Sequence, residues 1–371
     1  MLSKLVIIAC IAVYLTVTSC AVLQRPESPA AAQPDHTQPP SPGVQLQRSA
    51  PLPIVAVGMQ IQRTDWLDKY EQSIDEIASL GADAVKIVVD ARQENGTSNQ
   101  IYLDLRMTPA VEALQRLIRH AKSKNLKVIL MPIVLLDKPE RNEWRGTLTP
   151  KNWSEWFDSY RDMIGHYSWI AESSGVDILV VGSELVSSES KLDQWQKTIA
   201  HVRKTFKGKI TYSSNWDRYA SVPFWDDLDL IGMNSYWRLD NNKEEKATVA
   251  DIQTAWKPIM RDVLEFAREQ NKPIFFLEVG WCSIANAAHE PWDYTAISEP
   301  IDNDLQKRLY EGYFATWWGN PQLAGFSIWE WTPGDGGKDA DTTNRRGYTP
   351  ENKPAEAVLR HWLTMPRWQV R

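Results

Sequence analysis

Asp177-Ile178-Leu179-Val180-Val181-Gly182-Ser183-Glu184 and Lys272-Pro273-Ile274-Phe275-Phe276-Leu277-Glu278 are built alike: a run of strand-forming residues that ends on a glutamate. A carboxylate is costly to place in an apolar run, so its presence there asks for a reason. In chains that alternate strands and helices, the C-terminal tip of a strand is where reactive side chains are kept. These two stretches name both the architecture to test for and two residues, Glu184 and Glu278, suited to paired acid/base and nucleophilic work.

Working outward from them, short β-branched or aliphatic runs alternate with longer amphipathic stretches, the pattern of repeated βα units around a parallel sheet. Strands are predicted at Ile54–Met59, Ala84–Val89, Lys127–Val134, Ile178–Gly182, Lys209–Ser214, Asp229–Met233, Pro273–Glu278 and Leu323–Ile328. Helices are predicted at Asp68–Leu80, Thr108–Lys124, Ser154–Ser173, Lys191–Phe206, Val249–Gln270, Asn303–Trp318 and Lys353–Trp362. Gly81, Gly175 and Gly208 stand just past three of these, as helix stops do. The stretch from Asn215 to Leu228 alone has no convincing helix. Eight strands in this pattern, in about 310 residues, predict the α/β fold known as the (β/α)8 or TIM barrel. A doubly wound open sheet is the competing arrangement, but Gly58-Met59-Gln60 after the first strand offers no glycine-rich phosphate loop. Strand counting then assigns Glu184 to the tip of strand four and Glu278 to the tip of strand seven.

The fold reasoning begins at residue 54. Lys4 precedes an apolar run from Leu5 to Val17, too short to span a bilayer and followed by small residues, which reads as an export signal over residues 1–20. Val17-Thr18-Ser19-Cys20 resembles the bacterial lipobox, so Cys20 is a candidate for lipidation and the protein for an envelope lipoprotein anchored in a membrane; an ordinary cleaved signal is the alternative. Residues 21–53, rich in Pro, Ala, Gln and Ser, read as an extended linker. Residues 54–371 are the predicted catalytic domain.

A net charge of -6 argues against a nucleic-acid surface. Once a signal is removed, Cys20 and Cys282 are the only cysteines left, which excludes a disulfide framework, and Cys282 reads as a buried, inert thiol. Metal-ligand spacings are absent from the sequence; Asp335, Asp339 and Asp341 only loosely suggest a calcium loop. The unusual count is 18 tryptophans, several in predicted loops: Trp216, Trp225, Trp237, Trp281, Trp292, Trp329 and Trp331. Indole faces stack on the C–H faces of sugar rings, so a loop-borne set suits a carbohydrate groove, with core packing the competing reading for any one of them.

The tips of strands four and seven face each other across a barrel mouth, where two carboxyl groups about 5 to 5.5 Å apart would support double displacement at a sugar. Further motifs run in order through the barrel: Val181-Gly182-Ser183-Glu184-Leu185, Ser214-Asn215-Trp216, Phe224-Trp225-Asp226-Asp227-Leu228-Asp229-Leu230-Ile231-Gly232-Met233-Asn234-Ser235-Tyr236, Leu277-Glu278-Val279-Gly280-Trp281, Ile328-Trp329-Glu330-Trp331, and Gly347-Tyr348-Thr349-Pro350 with Lys353-Pro354-Ala355. On these the chain resembles the clan of (β/α)8 retaining glycosidases, and within it glycoside hydrolase family 113, whose characterised members are chiefly β-1,4-mannanases. It implies Glu184 as acid/base, Glu278 as nucleophile, Tyr236 as the phenol that orients the nucleophile, and Trp329 as the aromatic under the cleaved sugar. Most of the clan carries Asn immediately before its acid/base, holding the 2-hydroxyl, where this chain has Ser183, which leaves the preferred C2 configuration open. Trp331, Asn215, Trp216, Trp281 and Asn234 are further candidates for the groove, with Gln60 and Asp90 beside them. Lys86 either joins them or is an inward barrel residue paired with a carboxylate. Glu330 is expected to pair with a loop arginine such as Arg345. The implied partner is a polysaccharide, no organic cofactor is needed, and nothing in the sequence calls for an obligate oligomer. The alternatives are the same chemistry on another β-glycan or envelope polysaccharide, or a silent glycan-binding lipoprotein.

Overall fold

A computed structural model of the chain describes residues 53–240, 247–296, 298–333 and 346–365. The signal, Cys20, the linker up to residue 52, Asp335, Asp339, Asp341 and Arg345 lie outside the described residues. Eight parallel strands form a closed ring: β1 (Ile54–Gln60), β2 (Ala84–Gln93), β3 (Lys127–Leu136), β4 (Ile178–Ser183), β5 (Lys209–Ser214), β6 (Ile231–Asn234), β7 (Ile274–Val279) and β8 (Leu323–Ile328). Each strand pairs with its sequence neighbours and β1 pairs with β8, so the sheet has no open barrel edge. The two-residue strand Ile101–Tyr102 adds antiparallel to the end of β2. This is the predicted (β/α)8 barrel.

Period-two alternation sorts the strand side chains. Ala56, Ala84, Val88, Ile129, Met131, Ile178, Val180, Phe275 and Leu277 fill the barrel interior. Val55, Val57, Val85, Ile87, Val128, Leu130, Leu179 and Val181 face the surrounding helices. Those helices are α1 (Leu67–Ser79), α2 (Val111–Ser123), α3 (Trp153–Ser174), α4 (Leu192–Thr205), α5 (Val249–Glu269), α6 (Asn303–Trp317) and α7 (Pro354–Thr364). Their buried positions recur at helical spacing, as Tyr70, Ser73, Ile74 and Ile77 do along α1. Asn152 starts α3 by accepting from the amides of Ser154 and Glu155, and Gly175 ends it in the left-handed region at φ 70°.

The expected boundaries hold to within a few residues, with three informative differences. β2 and β3 run on to Gln93 and Leu136, pairing side by side along their whole length. β6 begins at Ile231 rather than Asp229, because the Asp229 carboxylate is taken up by the Ile210 amide (2.7 Å) and Arg203 (2.5 Å). Gly208 is no left-handed helix stop: α4 ends at Phe206 with extended backbone. The connection from Asn215 to Leu228 holds only the short 3-10 turns Tyr219–Ser221 and Trp225–Asp227.

Much of the tryptophan content cements the helix layer. Trp156 stacks on Tyr160 and Trp195 on Phe224, both with centroids 5.0 Å apart, and Trp256 meets Trp317 edge-on at 5.8 Å.

Candidate active site

Both glutamates sit where the ladder loses its register. Between β6 and β7 the pairing passes from Met233–Phe276 to Asn234–Glu278, so β7 carries one extra residue, Leu277. Phe275 and Leu277 already point into the barrel. Simple alternation would turn Glu278 away from it, and the extra residue is the device that re-aims the carboxylate. On β4 the register shifts between Val180 and Ser183. Glu184 follows at φ 54°, a left-handed conformation rare for a side chain of its size, with its amide donating to the Ser213 carbonyl at 2.8 Å.

Glu278 is 6% exposed. The Tyr236 hydroxyl donates to its Oε2 at 2.7 Å, and Lys86 Nζ lies 3.8 Å from its Oε1. Burial, then the charge of Glu278, pushes the Tyr236 phenol well above its ordinary range, so it is a neutral donor. Lys86 is entirely buried in the barrel interior, donating to the Leu277 carbonyl at 2.6 Å and lying 4.5 Å over the Trp329 ring. Room for it comes from Gly58, where a Cβ would stand 2.9 Å from Lys86 Cε and 3.2 Å from the Trp329 ring. Burial pulls the Lys86 ammonium down to about 8, against the opposing pull of Glu278, Glu330 and Glu184. Glu330 is pushed up to about 7 by burial and by Glu278, with Lys86 working the other way.

Glu184 is held from two sides. Arg145 pairs with its Oε2, and the Asn234 amide donates to its Oε1. Asn234 is itself fixed: the same nitrogen donates to Asn215 Oδ1 at 2.9 Å, and its Oδ1 accepts from the Trp216 amide at 2.8 Å. Burial is the largest influence on the Glu184 carboxyl and repulsion by Glu278 adds to it, so the group is raised above the ordinary glutamate value although Arg145 and Asn234 oppose the rise. Burial works against the charge of Arg145, and Glu184 and Glu278 more than offset it. The two carboxylates thus feel each other, and one guanidinium feels both. Such a pair can divide the labour of acid and nucleophile, the one held protonated more readily than an ordinary glutamate.

Of the residues expected around the site, Glu184, Glu278, Tyr236, Asn234, Asn215, Trp216, Lys86 and Trp329 come together at the C-terminal mouth. Several expectations need correction. Lys86 takes the inward, carboxylate-paired alternative, and at 0% exposure it is no groove residue. Trp281 (0% exposed) is packed edge-on against Tyr310, and Trp331 (1% exposed) spends its indole N–H on Glu76 at 2.8 Å. Neither presents a face to a sugar. Trp225 is buried as well. Ser183 is buried too, and its hydroxyl has no partner among the described residues. The amide next to the strand-four carboxylate comes from Asn234 on β6 instead. Gln60 and Asp90 bond each other at 2.8 Å, with Arg92 closing on the second oxygen. Cys282 is buried and its thiol is pushed up to about 12 by burial, the inert state expected of it; His289 is engaged with Asp240 at 3.0 Å.

Two residues escaped the sequence reading. Arg145 lies in Asn142-Glu143-Trp144-Arg145-Gly146, beyond strand three, where nothing local separates it from Lys138 or Arg141. Tyr294, in the segment after β7, is 72% exposed yet within electrostatic reach of Arg145. In the same segment Trp292 stacks on Trp216 with centroids 5.7 Å apart.

Residues 55–353 match the sequence profile of Glycoside Hydrolase Family 113. A search of curated proteins finds no match. Among solved structures, a GH113 β-mannanase from Alicyclobacillus acidocaldarius, in complex with ManMIm, is 27% identical with a TM-score of 0.72, over 84% of this chain and 97% of that one. A GH113 β-1,4-mannanase solved as a complex is 26% identical with a TM-score of 0.73, over 85% and 99%. An endo-1,4-β-D-mannanase from Thermotoga petrophila shares the fold at 11% identity and a TM-score of 0.55, over 84% and 99%. The profile spans most of the barrel, from β1 to the threshold of α7, and the chain belongs to Glycoside Hydrolase Family 113 and is a glycosidase.

Proposed function

We propose that this glycosidase cleaves β-1,4-linked mannan by double displacement. Glu278 attacks the anomeric carbon as its carboxylate while Glu184 gives a proton to the leaving oxygen. Glu184, then ionised, takes a proton from water as that water attacks the anomeric carbon and frees Glu278. Tyr236 orients the nucleophile, and Trp329, half-buried over Lys86, supplies the surface beneath the reacting sugar. One observation carries the reading: two carboxylates from opposite sides of one barrel mouth share a single electrostatic site, with a phenol donating to one of them. Support for mannan comes from the β-mannanases that this chain resembles along most of its length.

The test is a panel of β-mannan, β-glucan and envelope glycans with product analysis by chromatography and by NMR of the newly formed anomer. Manno-oligosaccharides released with retained configuration are expected. Turnover of gluco-configured polymer alone would remove mannan, and an inverted product would remove double displacement. We also place the protein at the cell envelope as a lipoprotein, on the strength of Val17-Thr18-Ser19-Cys20. Metabolic labelling with a fatty-acid analogue should mark the wild type and spare Cys20→Ala; equal labelling of the two would sink that placement.

A further inference from the structure

We infer that Arg145 is a positioning residue for Glu184, one that pairs with its Oε2 while Glu184 is ionised and lets that oxygen go when it carries the proton to the leaving group. The inference rests on the reading of Glu184 as the acid/base. Both Glu184 oxygens are taken as acceptors in the structure, Oε2 by Arg145 and Oε1 by the Asn234 amide. A carboxyl group whose two oxygens both accept cannot present an O–H to a glycosidic oxygen, so one contact must open in the first half of the reaction.

The two contacts are not equally free to do so. Asn234 is buried and tied on both ends of its amide, to Asn215 and to the Trp216 backbone. Arg145 stands on the short turn Arg145–Thr147, its side chain is 19% exposed, and its Nε has no partner among the described residues. Oε2 is therefore the oxygen that carries the proton.

Charge bookkeeping over the cycle points the same way. Before attack, Glu278 is the carboxylate and Glu184 holds a proton; once the glycosyl bond forms, Glu278 is an ester and Glu184 is the carboxylate. At each stage one negative charge lies within the field of Arg145, which reaches Glu278 as well as Glu184. The guanidinium can serve the pair as one counter-ion that changes partner. Among the described residues, the other titratable groups facing Glu184 are Glu278 from β7, Lys86 from β2, Tyr236 just past β6 and Glu189 just past its own strand, while Tyr294 faces Arg145 from the segment after β7.

The experiment compares wild type, Arg145→Lys and Arg145→Gln through the pH dependence of kcat/KM on an activated aryl glycoside. Its alkaline limb reports loss of the Glu184 proton. Removing an opposite charge at this range should move that limb up by about one to three pH units in Arg145→Gln, while Arg145→Lys keeps it near the wild type. A residue needed only for packing would lower turnover in both variants without moving the limb. An Arg145→Gln limb that coincides with wild type, or a Lys variant displaced as far as the Gln variant, overturns the inference. A second readout needs no turnover. In 13C-glutamate-labelled protein, the carboxyl resonance missing from Glu184→Gln should titrate at higher pH in Arg145→Gln than in wild type. If no glycan is cleaved, the acid/base reading fails on the activity assay while this titration still decides the pairing.

Discussion

The two strand tips solve the same problem in different ways. At strand seven, Glu278 is gripped by groups on or beside the barrel strands: Tyr236 just past β6 and Lys86 on β2, with Gly58 on β1 making the space. At strand four, Glu184 is nearly as buried, its side chain 13% exposed, and its cation arrives from a loop. A nucleophile must meet the anomeric carbon at one angle, so rigid strands are the right support for it. An acid that becomes a base needs surroundings that can change between the two states, as a loop arginine can. On the proposed roles, the difference in scaffold is a difference in job.

Removing the strand-seven carboxylate should have the largest effect. Glu278→Ala is expected to cut turnover of an aryl glycoside by more than about 10⁴-fold, beyond what proton transfer alone supplies, with the near-ultraviolet circular dichroism unchanged. Removing the strand-four carboxylate should cost less on a substrate whose leaving group needs no proton. Glu184→Ala is expected to lose about 10²- to 10⁴-fold on natural glycan, and azide should restore turnover on the activated substrate, yielding a glycosyl azide of retained configuration. Azide rescue of Glu278→Ala with retention, and none of Glu184→Ala, would exchange the two assignments. Next in size is Tyr236→Phe, which deletes one hydrogen bond to a charged group, worth about 1.5–3 kcal/mol. That corresponds to roughly a 10- to 100-fold fall in kcat with KM little changed. A change confined to KM would make Tyr236 a substrate contact.

The comparison also explains what could be read in advance. Strand tips are local: an apolar run ending on a charge is visible in eight residues, and glycines such as Gly81 and Gly175 mark where helices stop. Hence the barrel and both glutamates were legible. Loop contributions are not local. Arg145 is 39 residues from Glu184 in sequence, and only the closed barrel brings the two together. The tryptophans fail for the converse reason. Trp281 and Trp331 sit just past strand tips, as groove aromatics do, yet α1 and α6 reach far enough to bury them against Glu76 and Tyr310. Ser183 had the right address for a sugar contact, but the register shift inside β4 and the amide of Asn234 settle what lies beside Glu184.

The last contrast is in charge. Around Glu184 the guanidinium of Arg145 answers the carboxylate, whereas among the described residues the strand-seven side holds two carboxyl groups, Glu278 and Glu330, against one ammonium lowered to about 8. Glu330 stands at about 7 in the folded protein against an ordinary 4.5, raised first by burial and then by Glu278. Below about pH 4.5 both folded and unfolded chains hold this proton. Between about 4.5 and 7 the folded state keeps a proton that the unfolded state has released, so Glu330 takes stability away as pH rises through that window, and the loss is complete above it. Glu330→Gln keeps the shape and removes the titration. The variant should therefore outlast wild type in urea at pH 8, by an upper bound of about 3 kcal/mol for a shift of this size, with the gap closing as pH falls to 4.5. Groups unaffected by the substitution cancel in the difference between the two proteins. Urea titrations at pH 4.5, 6 and 8 provide the measurement. A gap that stays constant with pH, or wild type more stable at pH 8, would mean that Glu330 is satisfied as a carboxylate and that the strand-seven side is not the more crowded of the two.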